Sequence, residues 1–224
     1  MQDVLRAVRW RAVEFAVLFF AVPLAIAVLL PPSMMFPALF VGTLVGMVLL
    51  HATPGFAWRS LFAGVERVSL VLILLCAILT AVVGLGVLWV ARPEAIFFLL
   101  QEGAPRTSGG WPIIWVIALF YPVVSALPQE LVFRPLFFRR YGDLLPQGDA
   151  ALVLNAGAFS LAHLMYWSWV VAVMTFAGGL LFAWSYERRG NFPEAVILHS
   201  VAGIALFAVG MGVYFYSGNV VRPF

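Results

Sequence analysis

The sequence predicts an all-α protein, a polytopic membrane bundle of about seven transmembrane helices enclosing an intramembrane chamber. Three observations predict it. Of 224 residues, 64% are hydrophobic and only 10% are charged, a balance foreign to soluble domains. The apolar residues gather in repeated stretches of roughly 20, the length a helix needs to cross a hydrocarbon layer of about 30 Å. Breakers fall between stretches, at Pro31-Pro32-Ser33, Arg92-Pro93, Gly109-Gly110 and Asn191-Phe192-Pro193.

The spans follow in order. The first, 13–30, has a basic leader of Arg6, Arg9 and Arg11, but its apolar stretch of about 18 residues exceeds the 7–15 of a cleavable signal, so it is expected to stay as an anchor. The second, 34–51, carries Gly42 and Gly46 at small-xxx-small spacing, which suits packing within one subunit. The third, 68–91, holds Cys76, the single cysteine, which has no internal disulfide partner and suits a packed core. The longest loop runs from Arg92 to Gly110, and its Ala95–Leu100 segment is expected to dip into the interface as a short apolar helix. The fourth span, 111–127, continues as helix to near Tyr141. Spans at 150–166, 168–186 and 192–216 complete the set. Oligomeric state is not legible.

The formal charge is +3, and every basic residue is arginine. No tract suits nucleic acid, so the expected surroundings are the lipid bilayer. Arg6, Arg9, Arg11, Arg59, Arg67, Arg139, Arg140, Arg188 and Arg189 fall in alternate loops, and only Arg92, Arg106 and Arg222 fall in the others. Positive charge holds short loops on the cytoplasmic side, which places the amino terminus inside and the carboxyl terminus outside. The arginine-rich, lysine-free usage points to a bacterial inner membrane.

The chemistry concentrates in Gln129-Glu130-Leu131-Val132-Phe133-Arg134 and in two histidines, His163 and His199, on later apolar stretches. Ionisable side chains are costly inside a membrane, which makes these functional candidates by default. Pro128 and Pro135 bracket the first segment, so a helix is expected to kink or restart there, setting Gln129 and Glu130 at the positive end of its dipole. Glu130 and Arg134 share a helix face, and an ion pair would offset part of the burial cost. The bland alternative is that Glu130 only neutralises a buried arginine. A lone membrane histidine is likewise more often a helix-to-helix bond than a catalyst. At 1.5 Å per residue, Glu130 lies about 16 Å from the arginine-rich edge, His199 about 10 Å and His163 about 21 Å, depths that one layer accommodates. Asn155, Phe159 and His163 recur every four residues and share a face. All of these are expected to meet in a cytoplasm-facing chamber.

Gln129-Glu130-x-x-x-Arg134, Phe159-x-x-x-His163 and His199 together resemble the three motifs of the CAAX protease and bacteriocin-processing (CPBP) intramembrane proteases, which include type II CAAX prenyl endopeptidases. The resemblance covers Trp111 to Phe215. It implies a membrane endopeptidase core over 111–216, after amino-terminal helices over 1–110 and before a tail over 217–224. It also implies that a glutamate and a histidine activate water, that a later histidine helps hold the oxyanion, and that the chamber opens to the cytosol. Two departures stand out. The family's first motif usually begins with paired glutamates, where this chain has Gln129, and asparagine commonly follows the last histidine by four residues, where it has Gly203.

The expected assignment is therefore Glu130 as base, His163 orienting the water and His199 donating to the oxyanion. Arg134 holds Glu130, with Gln129, Asn155 or Ser200 standing in for the lost donor. No cofactor is expected. Zinc ranks second, through Glu130, His163 and His199, because the ligands lack His-Glu-x-x-His spacing. The substrate would be a peptide or membrane protein. The rival is a degenerate relative serving as a binding, immunity or scaffolding factor, and solute transport has less support.

Overall fold

The computed structural model describes residues 2–224, with side chains from Val8 onward, so the side chain of Arg6 lies outside the described set. Among the described residues the chain is helical, with only an isolated bridge between Arg106 and Pro112. Six helices among them are long and apolar enough to cross a membrane. They are α1 (Val8–Leu29), α2 (Pro32–His51), α3 (Leu70–Ala91), α4 (Ile113–Arg140) and, after the shorter α5 (Asp149–Ala162), α6 (Trp169–Glu187) and α7 (Phe192–Val209).

The expected fifth span is α5, and it is short. Fourteen residues rise about 21 Å, less than the hydrocarbon thickness, and the chain then makes a 3-10 turn over Leu164–Tyr166 and a left-handed residue at Trp167 (φ 49°) before entering α6. The last helix also stops early. Gly210 ends α7 in the left-handed region (φ 108°), and a Cβ there would lie 1.8 Å from the carbonyl oxygen of Ala95. That approach docks the 92–110 loop on the end of α7, where the Phe97 amide donates to the Val209 carbonyl at 2.9 Å. The expected short helix in this loop is two single 3-10 turns, Pro93–Ala95 and Phe98–Leu100.

Prolines 122, 128 and 135 do not restart α4. The helix runs unbroken from Ile113 to Arg140 and absorbs them in two widened π-helical stretches, Pro122–Ala126 and Val132–Arg140. Gln129 and Glu130 lie between those stretches, inside a continuous helix, so no free helix start faces them.

The arginine-bearing loops gather at one end. Arg11 bonds Asp143, Arg140 bonds Glu14 and the Leu49 carbonyl, and Arg188 meets Asp149 at 2.7 Å. Arg189 meets Glu194 at 2.6 Å and also donates to the Arg67 carbonyl at 3.2 Å. At the opposite end, Arg222 donates to the carbonyls of Val28 and Leu30. An aromatic core fills the arginine-rich end, where Phe19, Phe133, Phe137 and Tyr141 are buried and the rings of Phe19 and Phe137 stand edge to face at 4.9 Å. Lipid gives apolar side chains no reason to leave it, so this packing and the polar contacts hold the helices together. Outward faces of α2 and α3, such as Val48, Leu75 and Leu79, stay exposed. Half of α7 is buried against 11% of α3, which makes α7 the central post on which both α3 and α4 pack.

Candidate active site

Four of the expected residues form one buried polar chain. Arg134 Nε donates to Glu130 Oε2 at 2.7 Å, the pair expected from their spacing, and a second guanidinium nitrogen reaches Oε1 at 3.3 Å. A third nitrogen of Arg134 bonds Asn155 Oδ1, and Asn155 Nδ2 donates to the Phe133 carbonyl at 2.7 Å. His199 completes the chain, with Nδ1 2.9 Å from Glu130 Oε1. Glu130, Arg134 and Asn155 are fully buried. An ionised carboxylate only accepts, so His199 carries a proton on Nδ1, and in the neutral ring the lone pair is then on Nε2. The ring is fixed by stacking on Phe182 at 4.9 Å and 10° and by standing edge-on to Phe159 at 5.5 Å.

His199 lines a cavity of about 1390 Å³, larger than the 300–1,000 Å³ usual for small-molecule sites. Gln129, His163, Tyr121 and Ser125 line the same cavity, and its walls are otherwise mostly apolar. His163 is the residue after the end of α5. Its Nδ1 lies 2.8 Å from the Phe159 carbonyl, which must accept, so Nδ1 carries the proton and Nε2 of the neutral ring carries the lone pair. Gln129 donates from its amide nitrogen to Ser125 Oγ at 3.0 Å, and its carbonyl oxygen has no partner.

Residues 110–215 match the family model for the type II CAAX prenyl endopeptidase Rce1-like proteins. This segment is Rce1-like. The resemblance read from the three motifs is thereby shown, and it supports a CAAX-type intramembrane endopeptidase in general terms. With six apolar helices, it makes the chain an integral membrane protein. Neither curated proteins nor solved structures include a significant match to the chain.

The Rce1-like segment departs from the expected arrangement at several residues. Glu130 is absent from the cavity wall, and both its oxygens are occupied behind His199. Asn155 turns away to Arg134, and Ser200 spends its hydroxyl on the Val196 carbonyl at 2.7 Å, so neither replaces the donor lost at Gly203. Tyr121 takes that space. A Cβ at position 203 would lie 2.2 Å from the Tyr121 ring, whose hydroxyl stands 3.3 Å from His199 Nε2. The sequence held the clue, since Tyr121, Ser125 and Gln129 repeat every four residues as Asn155, Phe159 and His163 do.

The donor set does not suit zinc. Glu130 Oε1 and His199 Nδ1 point at each other instead of at a common centre, a guanidinium sits against the carboxylate, and no cluster of three metal-ligating residues occurs among the described residues.

The cavity is lined by Arg92, Glu94 and Gln101 and draws no lining residue from the arginine-rich loops, the end at which the aromatic core is packed.

Proposed function

We propose that the protein is an intramembrane endopeptidase that hydrolyses a peptide bond in a peptide or membrane-protein substrate, with His199 as general base. One observation carries this reading: the Glu130–His199 bond leaves Nε2 as a basic nitrogen in the wall of a large apolar chamber. Water attacks the scissile carbonyl carbon while its proton passes to His199 Nε2. Glu130, its charge balanced by Arg134, stabilises the imidazolium that forms. His163 Nε2 accepts the second water proton in a hydrogen bond and so aims the nucleophile. The carbonyl electrons move onto oxygen, where the Tyr121 hydroxyl, swung from His199, and the Gln129 amide donate to it. Collapse breaks the C–N bond, and His199 returns its proton to the leaving nitrogen. Roles thus shift from the sequence expectation: Glu130 positions the base, and His199 acts as the base.

The apolar walls suit a chain entering from lipid. Leu79 and Val83 of α3 and Phe120 of α4 line the cavity and are exposed to the surroundings, leaving a lateral slot in front of α7. The binding, immunity or scaffolding rival rests on Gln129, which takes no proton from water. Tyr121 weakens that rival by filling the place where a donor is missing.

Cleavage of a membrane-anchored reporter by His163→Ala, His199→Ala and Glu130→Gln tests the proposal. Each is expected to lose cleavage, with activity unchanged by chelator. Glu130→Gln also strips Arg134 of its counter-charge, on the order of 3–5 kcal/mol, so its folding is checked alongside. Full cleavage by all three folded variants overturns this site, and a wild-type chain that binds the reporter without cutting it favours the rival.

A further inference from the structure

We infer that Trp167 is a positioning residue for His163, tying the turn that carries this imidazole to the end of α1. The inference rests on the endopeptidase reading, in which His163 aims the water, and adds the residues that aim His163.

His163 is the first residue past the end of α5, so the α-helix no longer fixes its place. The chain goes on into the 3-10 turn Leu164–Tyr166, closed by the Tyr166 amide on the His163 carbonyl at 3.0 Å and the Trp167 amide on the Leu164 carbonyl at 2.8 Å. Trp167 then takes a left-handed conformation (φ 49°, ψ 40°). A residue with a Cβ disfavours that region and stays there only where its surroundings enforce it. Those surroundings come from α1. A helical carbonyl accepts from the amide four residues on, and four residues beyond Ala27 and Val28 stand Pro31 and Pro32, which have no N–H. Side chains supply the missing donors. Trp167 Nε1 donates to the Ala27 carbonyl at 3.4 Å, and Arg222 donates to the Val28 carbonyl at 3.1 Å and to the Leu30 carbonyl. Phe224 stands edge-on to the Trp167 ring at 5.3 Å. The two prolines thus leave open the acceptor to which the His163 turn is tied. Between the tie and the site, the Tyr166 ring lies nearly parallel to the His163 imidazole, at 6.1 Å and 13°. Released from α1, Trp167 relaxes to an ordinary backbone conformation and the turn carries the imidazole with it. A misplacement of about 1 Å costs about 10²-fold in rate.

Imidazole NMR and kinetics together test the inference. The chain is purified in detergent with ¹⁵N-labelled histidine, and the ring signal of His163 is identified by its loss in His163→Ala. Trp167→Ala is expected to shift or broaden that signal while the His199 signal stays in place, and to lower kcat on the membrane-anchored reporter about 10²-fold with KM unchanged. Trp167→Phe keeps a ring against Phe224 and loses only the N–H; it is expected to fold as the wild type does and to show a smaller change of the same kind. Where Trp167→Ala does not fold, Trp167→Phe decides. The inference is overturned if the His163 signal stays in place in the folded variants, if activity falls only in step with melting temperature, or if KM rises while kcat holds. A displaced His163 signal in a chain whose wild type cuts no reporter upholds the tie and removes the endopeptidase reading alone.

Discussion

At the scale of single residues, Gly203 and Tyr121 share one space beside His199. Removing one oxyanion donor costs about 10²–10³ in rate, so a chain with glycine at that position needs another donor in the same space. Tyr121→Phe keeps the ring against Gly203 and removes only the hydroxyl; turnover is expected to fall about 10²-fold with little change in melting temperature. Gly203→Asn alone drives a side chain into the ring and is expected to abolish activity. Tyr121→Ala with Gly203→Asn is expected to recover part of it, and a double variant no better than either single one would show that the two positions do not share this space. Among the residues singled out from sequence, Glu130 and Arg134 pair as their spacing demands. Asn155 shows the limit of that logic. Spacing fixed its helix face, but which neighbour the amide meets depends on how α5 packs against α4, and it meets Arg134.

At the scale of elements, helix ends were the least legible part of the sequence. The apolar run after Asn191 continues through Tyr216, so hydropathy carried the last span to 216. The structure ends it at Gly210, where backbone conformation and the adjacent Ala95 carbonyl exclude a side chain. Gly210→Ala is expected to lose about 1–3 kcal/mol and to loosen the 92–110 loop from α7, read as a lower melting temperature in detergent; an unchanged value would contradict the proposed docking. Proline is likewise a poor guide to the course of α4. Each ring removes one backbone donor, yet a buried helix tolerates the loss by widening into π turns, so Gln129 and Glu130 remain on one continuous rod. The shortness of α5 is what sets His163 at a helix end, where its Nδ1 finds the Phe159 carbonyl.

At the scale of the whole molecule, the class was legible because lipid imposes it: long apolar stretches become helices, and arginines collect in alternate loops. The direction of the chamber was not. Depth estimates placed Glu130, His163 and His199 in one layer, but depth says nothing about which end of a bundle is plugged. Aromatic packing among α1, α4 and α5 decides that, and it closes the arginine-rich end. The central claim, that His199 activates water in this chamber to cut a peptide bond, is tested most directly by incubating the purified chain with a peptide reporter in ¹⁸O-labelled water and reading the fragments by mass spectrometry. The expected result is one ¹⁸O in each newly formed carboxyl terminus and none when folded His199→Ala is used. Equal incorporation by that variant, or no cleavage by the folded wild-type chain, would contradict it.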